Sequence, residues 1–371
     1  MTHRERFLAA VHHQVPDRVP LDLMGTAGGL VDEALFALRD YLGLEDHPRR
    51  FRTGENVNYY DEQILDALDI DTRRVWLRQP PHAKRYHGDG SVTDEWGLRR
   101  IPVGGYMQMA DPPLAEATAA DLARYPWPDA HHPARVEGLA EEAARLCQET
   151  DYAVVARAPC AGFLDIACWL RGTERFMQDL ILDPEFARRL VGCILDTELA
   201  LFEAFLKAVG PNVQMVETMD DMAANNGPLV SPAHLREFIL PAHRELNALI
   251  KSLAPEAAIF LHSDGDLMAI MGDLSECGVD VTSPTQPNLE GMPFERLKAE
   301  FGDRICFHGG VDSQGALRGT LDDVEADVRR CVRDLGRDGG YIVAPCNHLQ
   351  ADVPPANVVQ LYQAAREQAY E

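Results

Sequence analysis

The sequence has no apolar run long enough to cross a membrane, since no stretch approaches the roughly eighteen apolar residues that a span requires. The chain opens Met1-Thr2-His3-Arg4-Glu5, without the apolar region of a secretory signal. Its eight cysteines include no C-x-x-C pair and no spacing typical of a disulfide framework. We therefore expect a reducing, cytoplasmic compartment, in which most of the thiols are small core residues.

Positive charge is also scarce. The chain carries 35 Lys and Arg against 59 Asp and Glu, which gives a formal net charge of −24. Such a field repels nucleic-acid phosphates and anionic lipid surfaces, so neither is an expected partner. The fractions of hydrophobic (46%) and charged (25%) residues are those of an ordinary globular protein, which can bury a core without metals or disulfides.

What the sequence does contain is a regular alternation of strand-like and helix-like segments. Apolar runs, typical of parallel strands that are buried on both faces, recur at eight places, and a helical pattern follows each of them. They begin near residues 18, 73, 152, 213, 257, 279, 305 and 340. This pattern predicts an α/β fold of the (β/α)8 TIM barrel type, a single domain over residues 1–371; the alternative is a doubly wound open sheet.

One segment departs from the alternation. Residues 79–133 hold many of the prolines and glycines, and we interpret them as a loop-rich insertion after the second strand, with a β-hairpin around Thr93 to Ile101. The sequence leaves open whether this insertion covers the mouth of the barrel or lies away from it. A closing helix is predicted from Pro354 to Tyr370.

A barrel gathers the residues at the carboxyl ends of its strands around one mouth, and polar side chains recur at those positions. Three carboxylates follow the fourth strand and are candidate catalytic residues: Glu217, Asp220 and Asp221. Carboxylates that share a partly desolvated pocket raise one another's pKa, which makes one of them a potential proton donor; the alternative is that they cap the following turn. Candidate substrate-binding residues follow other strands: Asp22, Arg157, Ser283, His308 and Asn347.

The run from Ala257 to Asp266 ends in the candidate metal ligands His262 and Asp264, and Cys346 follows the last strand. Imidazole nitrogen and thiolate sulfur are preferred zinc ligands, and a carboxylate can add an oxygen while leaving a fourth position open. The alternative is a hydrogen-bonded histidine without metal and a small cysteine beneath the mouth.

Several short motifs together resemble the uroporphyrinogen decarboxylase superfamily, and within it the cobalamin-dependent methyltransferase branch. They lie at residues 18–22, 93–97, 125–129, 183–185, 227–232, 261–265 and 352–358, and include Leu261-His262-Ser263-Asp264-Gly265. The resemblance implies a (β/α)8 barrel. True uroporphyrinogen decarboxylases carry an Arg-Gln-Ala-Gly-Arg-Tyr stretch after the first strand, whereas residues 23–29 here contain no arginine, so porphyrinogen decarboxylation is not expected.

The methyltransferase branch implies a zinc ion held by a His-x-Cys pair and a later cysteine. His262 matches the histidine, Asp264 stands at the first cysteine and Cys346 lies near the last, with Glu217 or Asp264 as the oxygen ligand. A carboxylate in place of a thiolate disfavours a thiol acceptor such as coenzyme M and favours tetrahydrofolate.

The resemblance therefore implies a methyltransferase that moves a methyl group between methylcobalamin on a partner corrinoid protein and a small acceptor, with a homodimer as a further implication. Two other functions remain open. One is a decarboxylase or lyase of a small carboxylated substrate, with Asp220 or Asp221 handling the proton and Arg157 holding the carboxylate. The other is a non-catalytic ligand-binding homologue.

Overall fold

The computed structural model describes residues 1–26, 28–53, 55–104 and 106–368. Its α-helices are α1 His3–Val11, α2 Asp32–Leu42, α3 Glu62–Ala67, α4 Ala119–Leu122, α5 Leu139–Glu149, α6 Phe163–Arg171, α7 Thr173–Leu182, α8 Pro184–Val209, α9 Pro232–His234, α10 Leu240–Leu253, α11 Met271–Glu276, α12 Phe294–Phe301, α13 Leu321–Leu335 and α14 Pro355–Glu367. Its strands are β1 Arg49–Arg50, β2 Tyr59–Tyr60, β3 Thr72–Val75, β4 Lys84–Tyr86, β5 Val92–Asp94, β6 Arg99–Val103, β7 Tyr106–Ala110, β8 Ala153–Ala156, β9 Met215–Met219, β10 Ala223–Ala224, β11 Gly227–Pro228, β12 Ala258–His262, β13 Val281–Thr285, β14 Cys306–Val311 and β15 Tyr341–Pro345. Short 3-10 turns lie at Pro133–Arg135, Gly210–Asn212 and Ala316–Arg318, and a π-helical turn lies at Leu235–Ile239.

The centre of the fold is a seven-stranded parallel sheet with the order β15-β14-β13-β12-β9-β8-β3. Every residue of these strands is buried except Met219, the last residue of β9, as the continuous apolar runs predict. Helices connect successive strands, which confirms the α/β class and seven of the eight predicted strands.

The predicted strand at residue 18 is present only as a single parallel bridge between Leu21 and Val343. Val343 N–H donates to the Pro20 carbonyl and Asp22 N–H donates to the Val343 carbonyl, both at 2.9 Å, and these two bonds make the bridge. Pro20 has no N–H with which to extend the pairing. The Leu21 carbonyl accepts from Asp71 N–H at 3.0 Å, just before β3. This segment therefore bonds to both edges of the sheet, which is curled.

Helix α1 packs against the end of the sheet where the strands begin. Its residues Phe7, Ala10 and Val11 form an apolar cluster with alternate residues of the strands, among them Val155 and Phe260. Since alternate strand residues point to the same face, this cluster fills the concave side of the sheet near the amino ends of the strands. Polar side chains that follow the carboxyl ends are thereby left at the opposite end.

The segment at residues 79–133 contains an antiparallel sheet in the order β4-β5-β6-β7. Val92 pairs with Arg100 and Thr93 with Arg99, which confirms the predicted hairpin. Helix α14 ends at Glu367 and confirms most of the predicted closing helix; residues 369 and 370 lie outside the described residues. None of the helices in the described ranges combines the length and apolar character needed to cross a bilayer.

Candidate active site

A buried ionic network centred on Arg74 of β3 lies inside the curled sheet. Arg74 Nη2 is 2.6 Å from Asp22 Oδ2, and its Nε donates to Glu217 Oε1 at 3.0 Å, with all three side chains almost wholly buried. Burial alone would lower the pKa of Arg74, but the two carboxylates outweigh it and raise that pKa. Burial would likewise raise the pKa of Asp22, but Arg74 and then His308 hold it far below its usual range.

The network continues across the sheet to β13 and β14. His308 Nε2 lies 2.8 Å from Asp22 Oδ2, and His308 Nδ1 lies 2.9 Å from Ser283 Oγ. Thr26 donates to the remaining oxygen of Glu217. These contacts satisfy the buried polar groups internally, as a closed network requires.

Four of the predicted site residues therefore occupy positions that the sequence analysis did not anticipate. Asp22, Ser283 and His308 were predicted to bind substrate and Glu217 to act in catalysis, but their polar atoms are engaged with one another and with Arg74. They stabilise the floor of the site. Arg74 was missed, although an arginine inside a short strand-like segment was the signal that could have found it.

Asp220, predicted as a catalytic residue, has both carboxylate oxygens engaged by neighbouring groups. Its Oδ1 accepts from Asp165 N–H at 3.0 Å and its Oδ2 from Leu164 N–H at 3.1 Å, so it caps the first turn of α6. His243 Nε2 lies 2.9 Å from the same Oδ2. The alternative left open by the sequence was that these carboxylates cap the following turn, whereas Asp220 caps a helix that precedes it in the chain.

The loop before α6 approaches this strand end so closely that only glycine fits at residue 162. A Cβ atom there would lie 2.1 Å from the Met219 carbonyl oxygen and 2.3 Å from Asp220 Cβ. Behind the loop, burial and the nearby Asp220 and Asp221 carboxylates raise the pKa of Asp165 to about 8. Asp165 Oδ2 accepts from Asp221 N–H at 3.1 Å, which fixes the backbone of the next acidic residue.

Asp221, His262 and Asp264 form a group whose potential ligand atoms all lie within 4.8 Å of one another. His262 ends β12 opposite Met219 of β9, so Asp221 follows beside it. His262 Nε2 is 3.5 Å from Asp221 Oδ1 and 3.9 Å from Asp264 Oδ2. The two carboxylates keep 38% and 35% of their side-chain surface exposed, whereas His262 is buried.

Neighbouring groups fix the Asp264 side of this cluster. Asn347 Nδ2 donates to Asp264 Oδ2 at 3.2 Å, and Asp264 N–H donates to Asp221 Oδ1 at 2.9 Å. Burial and the Asp221 charge raise the pKa of Asp264. His262 and the hydrogen bond from Asn347 act in the opposite direction and partly offset this rise. Asn347 thus orients a carboxylate of the group.

Cys346 does not join this group. Its thiol is buried and donates to the Thr285 carbonyl oxygen at 3.5 Å, and burial together with the nearby Cys331 thiol of α13 raises its pKa well above the ordinary value. Residues 346 and 347 form a bend directly after β15, in which Asn347 reaches Asp264 whereas the Cys346 thiol contacts the Thr285 carbonyl. Of the three predicted metal ligands, His262 and Asp264 lie together with Asp221, whereas Cys346 lies outside this group.

A cavity of about 320 Å³ lies at the same end of the sheet; Asp221, His262 and Asp264 do not line it, but Met219, which pairs with His262, does. The strand ends contribute Thr26, Arg157–Ala161, Met219 and His348, and the segment at residues 79–133 contributes Gln79, Ala83, Lys84, Asp94–Trp96, Leu98 and Arg100. The segment at residues 79–133 therefore forms one wall of the mouth. Arg157 lines the cavity as predicted for a substrate-binding residue, and Met219 connects the cavity to the strand end beside His262.

Comparison with known proteins agrees with this architecture. The family model for uroporphyrinogen decarboxylase (URO-D) matches residues 105–368. A methyltransferase from Methanosarcina mazei shares the fold over 99% of both chains, at 18% sequence identity and a TM-score of 0.68. An endo-beta-1,4-xylanase from Gloeophyllum trabeum is 11% identical over 60% of this chain and 79% of the xylanase, but its TM-score of 0.36 carries no argument about the fold. No curated protein matches the chain. The family model for uroporphyrinogen decarboxylase matches well over half of the residues of this chain. The chain therefore belongs to the uroporphyrinogen decarboxylase family.

Proposed function

We propose that the protein is a methyltransferase that moves a methyl group between a cobalamin on a partner corrinoid protein and a small acceptor in the cavity. The observation that carries the proposal is the convergence of Asp221, His262 and Asp264 at the same end of the sheet as that cavity. The family and the shared fold with a methanogen methyltransferase support it, as does the lack of arginine at residues 23–29. The eight-stranded closed barrel, with residues 18–23 as its first strand, and the single-domain organisation belong to the same proposal.

The group formed by Asp221, His262 and Asp264 fits a divalent metal ion. One imidazole nitrogen and two carboxylate oxygens face one another, and the partly exposed carboxylates leave an open side for a further ligand. Such a nitrogen and oxygen set suits zinc or a harder divalent ion. His262, Asp221 and Asp264 would hold it, and a bound zinc would supply Lewis acidity toward an oxygen or nitrogen of the acceptor.

The chain's own residues would orient both the ligands and the acceptor. Asn347 fixes Asp264, and the backbone of Asp221 is tied to Asp165. The cavity has the volume of a small-molecule site, so the acceptor would enter it while the corrinoid stays outside with its carrier protein. With no thiolate in the ligand set, a nitrogen nucleophile such as tetrahydrofolate is favoured over a thiol.

The test is methyl transfer in solution. Purified protein supplemented with zinc is mixed with methylcobalamin and either tetrahydrofolate or coenzyme M, and the methyl–cobalt absorbance is followed. With tetrahydrofolate we expect the wild-type protein to remove the methyl–cobalt absorbance and His262→Ala to leave it unchanged. The exposed-surface variant Arg296→Gln should keep the wild-type rate. Absence of turnover with every acceptor, in both transfer directions, would refute the proposal.

The decarboxylase alternative is less well supported. Asp220 was one of its two predicted proton donors, and both of its oxygens accept backbone N–H groups. Release of carbon dioxide from a carboxylated substrate in the absence of any corrinoid would favour this alternative over methyl transfer.

A further inference from the structure

The cavity holds more positive charge than its own carboxylates balance. Four cationic side chains line it: Arg52, Lys84, Arg100 and Arg157. Lys84 pairs with Glu55 at 3.3 Å and Arg100 with Asp94 at 2.7 Å. Within residues 1–26, 28–53, 55–104 and 106–368, no carboxylate lies within ion-pair distance of the other two guanidinium groups. Arg52 and Arg157 therefore have no direct carboxylate partner among the described residues, although Glu55 and Glu217 lie near enough to attract them.

Both of these arginines are held by neutral groups. Arg157 Nη1 donates to the carbonyl oxygens of Met24 and Gly25 at 3.3 and 3.2 Å, and Arg52 Nε donates to a backbone carbonyl at residue 57. The Phe51 ring lies 4.9 Å from the Arg157 guanidinium carbon and 5.1 Å from that of Arg52. These contacts fix the direction of the two guanidinium groups but do not neutralise their charge.

This arrangement is unfavourable without a counter-ion. Burial and the charge of Arg52 lower the pKa of Arg157, which is only 8% exposed, and the Glu217 carboxylate opposes this only in part. Burial also lowers the pKa of Arg52; the Glu55 carboxylate opposes this effect in part, and the nearby Arg100 adds to it. An unpaired buried charge is strongly destabilising, and this chain, with a net charge of −24, has many acidic residues that could have supplied a partner. A bound anion would supply the missing charge.

A third donor faces the same space. His348 lines the cavity, and its Nδ1 accepts from Gly29 N–H at 2.9 Å, so its hydrogen is on Nε2. Burial and the two arginines lower the pKa of His348 to about 3, which keeps the ring neutral. Trp96 and Trp169 add apolar surface to the cavity wall.

We propose that Arg52 and Arg157 form a subsite for the anionic group of a small organic substrate, a carboxylate or a sulfonate, whose apolar part packs against Trp96 and Trp169. A planar guanidinium matches a carboxylate with two parallel hydrogen bonds, and the tryptophan side chains favour an organic ion over an inorganic one. The inference deepens the proposed function, because it names the chemical class of the molecule that takes part in methyl transfer. It depends on that function only for the identification of this molecule as a substrate.

The experiment compares carboxylates with their neutral carboxamides. Calorimetry and tryptophan fluorescence measure the binding of acid and amide pairs of increasing size, from acetate and acetamide to benzoate and benzamide. Methanesulfonate and inorganic phosphate are further probes. For at least one pair we expect the carboxylate to bind about 10-fold or more tightly than the amide. Arg157→Gln and Arg52→Gln should each remove most of that preference, whereas Arg318→Gln, a surface variant, should keep it. Retained carboxamide binding in the two cavity variants shows that the cavity is intact.

Equal binding of acid and amide throughout the series would overturn the inference, as would wild-type carboxylate affinity in both cavity variants. Tighter binding of phosphate than of every organic acid would overturn the organic substrate class. Because the measurement needs no corrinoid, its outcome is separable from that of the methyl-transfer assay. Carboxylate binding without methyl transfer would refute the proposed function and leave this inference standing. Methyl transfer to neutral acceptors, without any preference for anions, would refute this inference and leave the proposed function standing.

Discussion

Replacing Arg74 by methionine should destabilise the protein more than loss of almost any surface ion pair. Arg74 donates to both Asp22 and Glu217, at 2.6 to 3.0 Å, and all three side chains are almost wholly buried. Removing one partner of a buried ion pair leaves an uncompensated charge, which costs about 3–5 kcal/mol. Since two carboxylates lose their partner here, we expect the free energy of unfolding to fall by at least that amount. Urea unfolding followed by tryptophan fluorescence measures it.

The pH dependence of this loss provides a second readout. In the wild type the pKa of Asp22 lies below its unfolded value, so its stabilisation is present above about pH 4 and is lost only as the pH falls through the folded pKa. Without Arg74 the same buried carboxyl has a raised pKa, and its penalty grows as the pH rises above about 4. The difference between wild type and variant should therefore be larger at about pH 8 than at about pH 5.

Two controls make the Arg74 prediction specific. Arg296→Met removes an exposed pair with Glu300 and should cost at most about 1 kcal/mol. Adding Asp22→Asn and Glu217→Gln to Arg74→Met should recover part of the loss, because neutral groups replace the unpaired charges. A cost of Arg74→Met no larger than that of Arg296→Met, or one independent of pH, would refute the account of the network.

Three further outcomes are expected. Gly162→Ala should lower the free energy of unfolding by more than about 1 kcal/mol, because the new Cβ would overlap the end of β9. The control Gly192→Ala, in an open position of α8, should raise the free energy of unfolding by about 0.5–1 kcal/mol. Equal effects of the two substitutions in urea unfolding would contradict the close approach at residue 162. Zinc content, measured by metal analysis after supplementation and desalting, should be lost in His262→Ala and unchanged in Cys346→Ser, and the reverse result would restore the cysteine as a ligand. Asn347→Ala should weaken zinc binding about 10-fold or more, because it removes the group that orients one ligand; unaltered affinity in a chelator competition would assign that hydrogen bond no role.

The parallel strands could be predicted because burial on both faces leaves a continuous apolar run in the sequence. The first strand could be predicted less well, since its run contains Pro20, whose missing N–H limits pairing to a bridge at Leu21. A run of apolar letters indicates burial, but how many ladder bonds form depends on the partner strand. That information is not local to residues 18–23.

The site shows the same limit at the level of single side chains. His262 and Asp264 were found because they directly follow an apolar run, but the sequence could not say which way Cys346 points. The adjacent Arg73 and Arg74 are equally indistinguishable in sequence. Arg73 pairs with Asp66, which is 60% exposed, whereas Arg74 points inward to two carboxylates. Only the register of β3 decides between them.

The wall that residues 79–133 contribute to the cavity separates two tasks in the sequence. The residues that would hold the metal lie at the ends of β9 and β12, whereas Trp96 and Arg100, which line the opposite wall of the cavity, belong to the segment at residues 79–133. A graft of this segment from another member of the family would therefore reshape one wall of the cavity while leaving Arg157 and the candidate metal ligands in place. Part of the selectivity of this site could thus be exchanged as one continuous stretch of sequence.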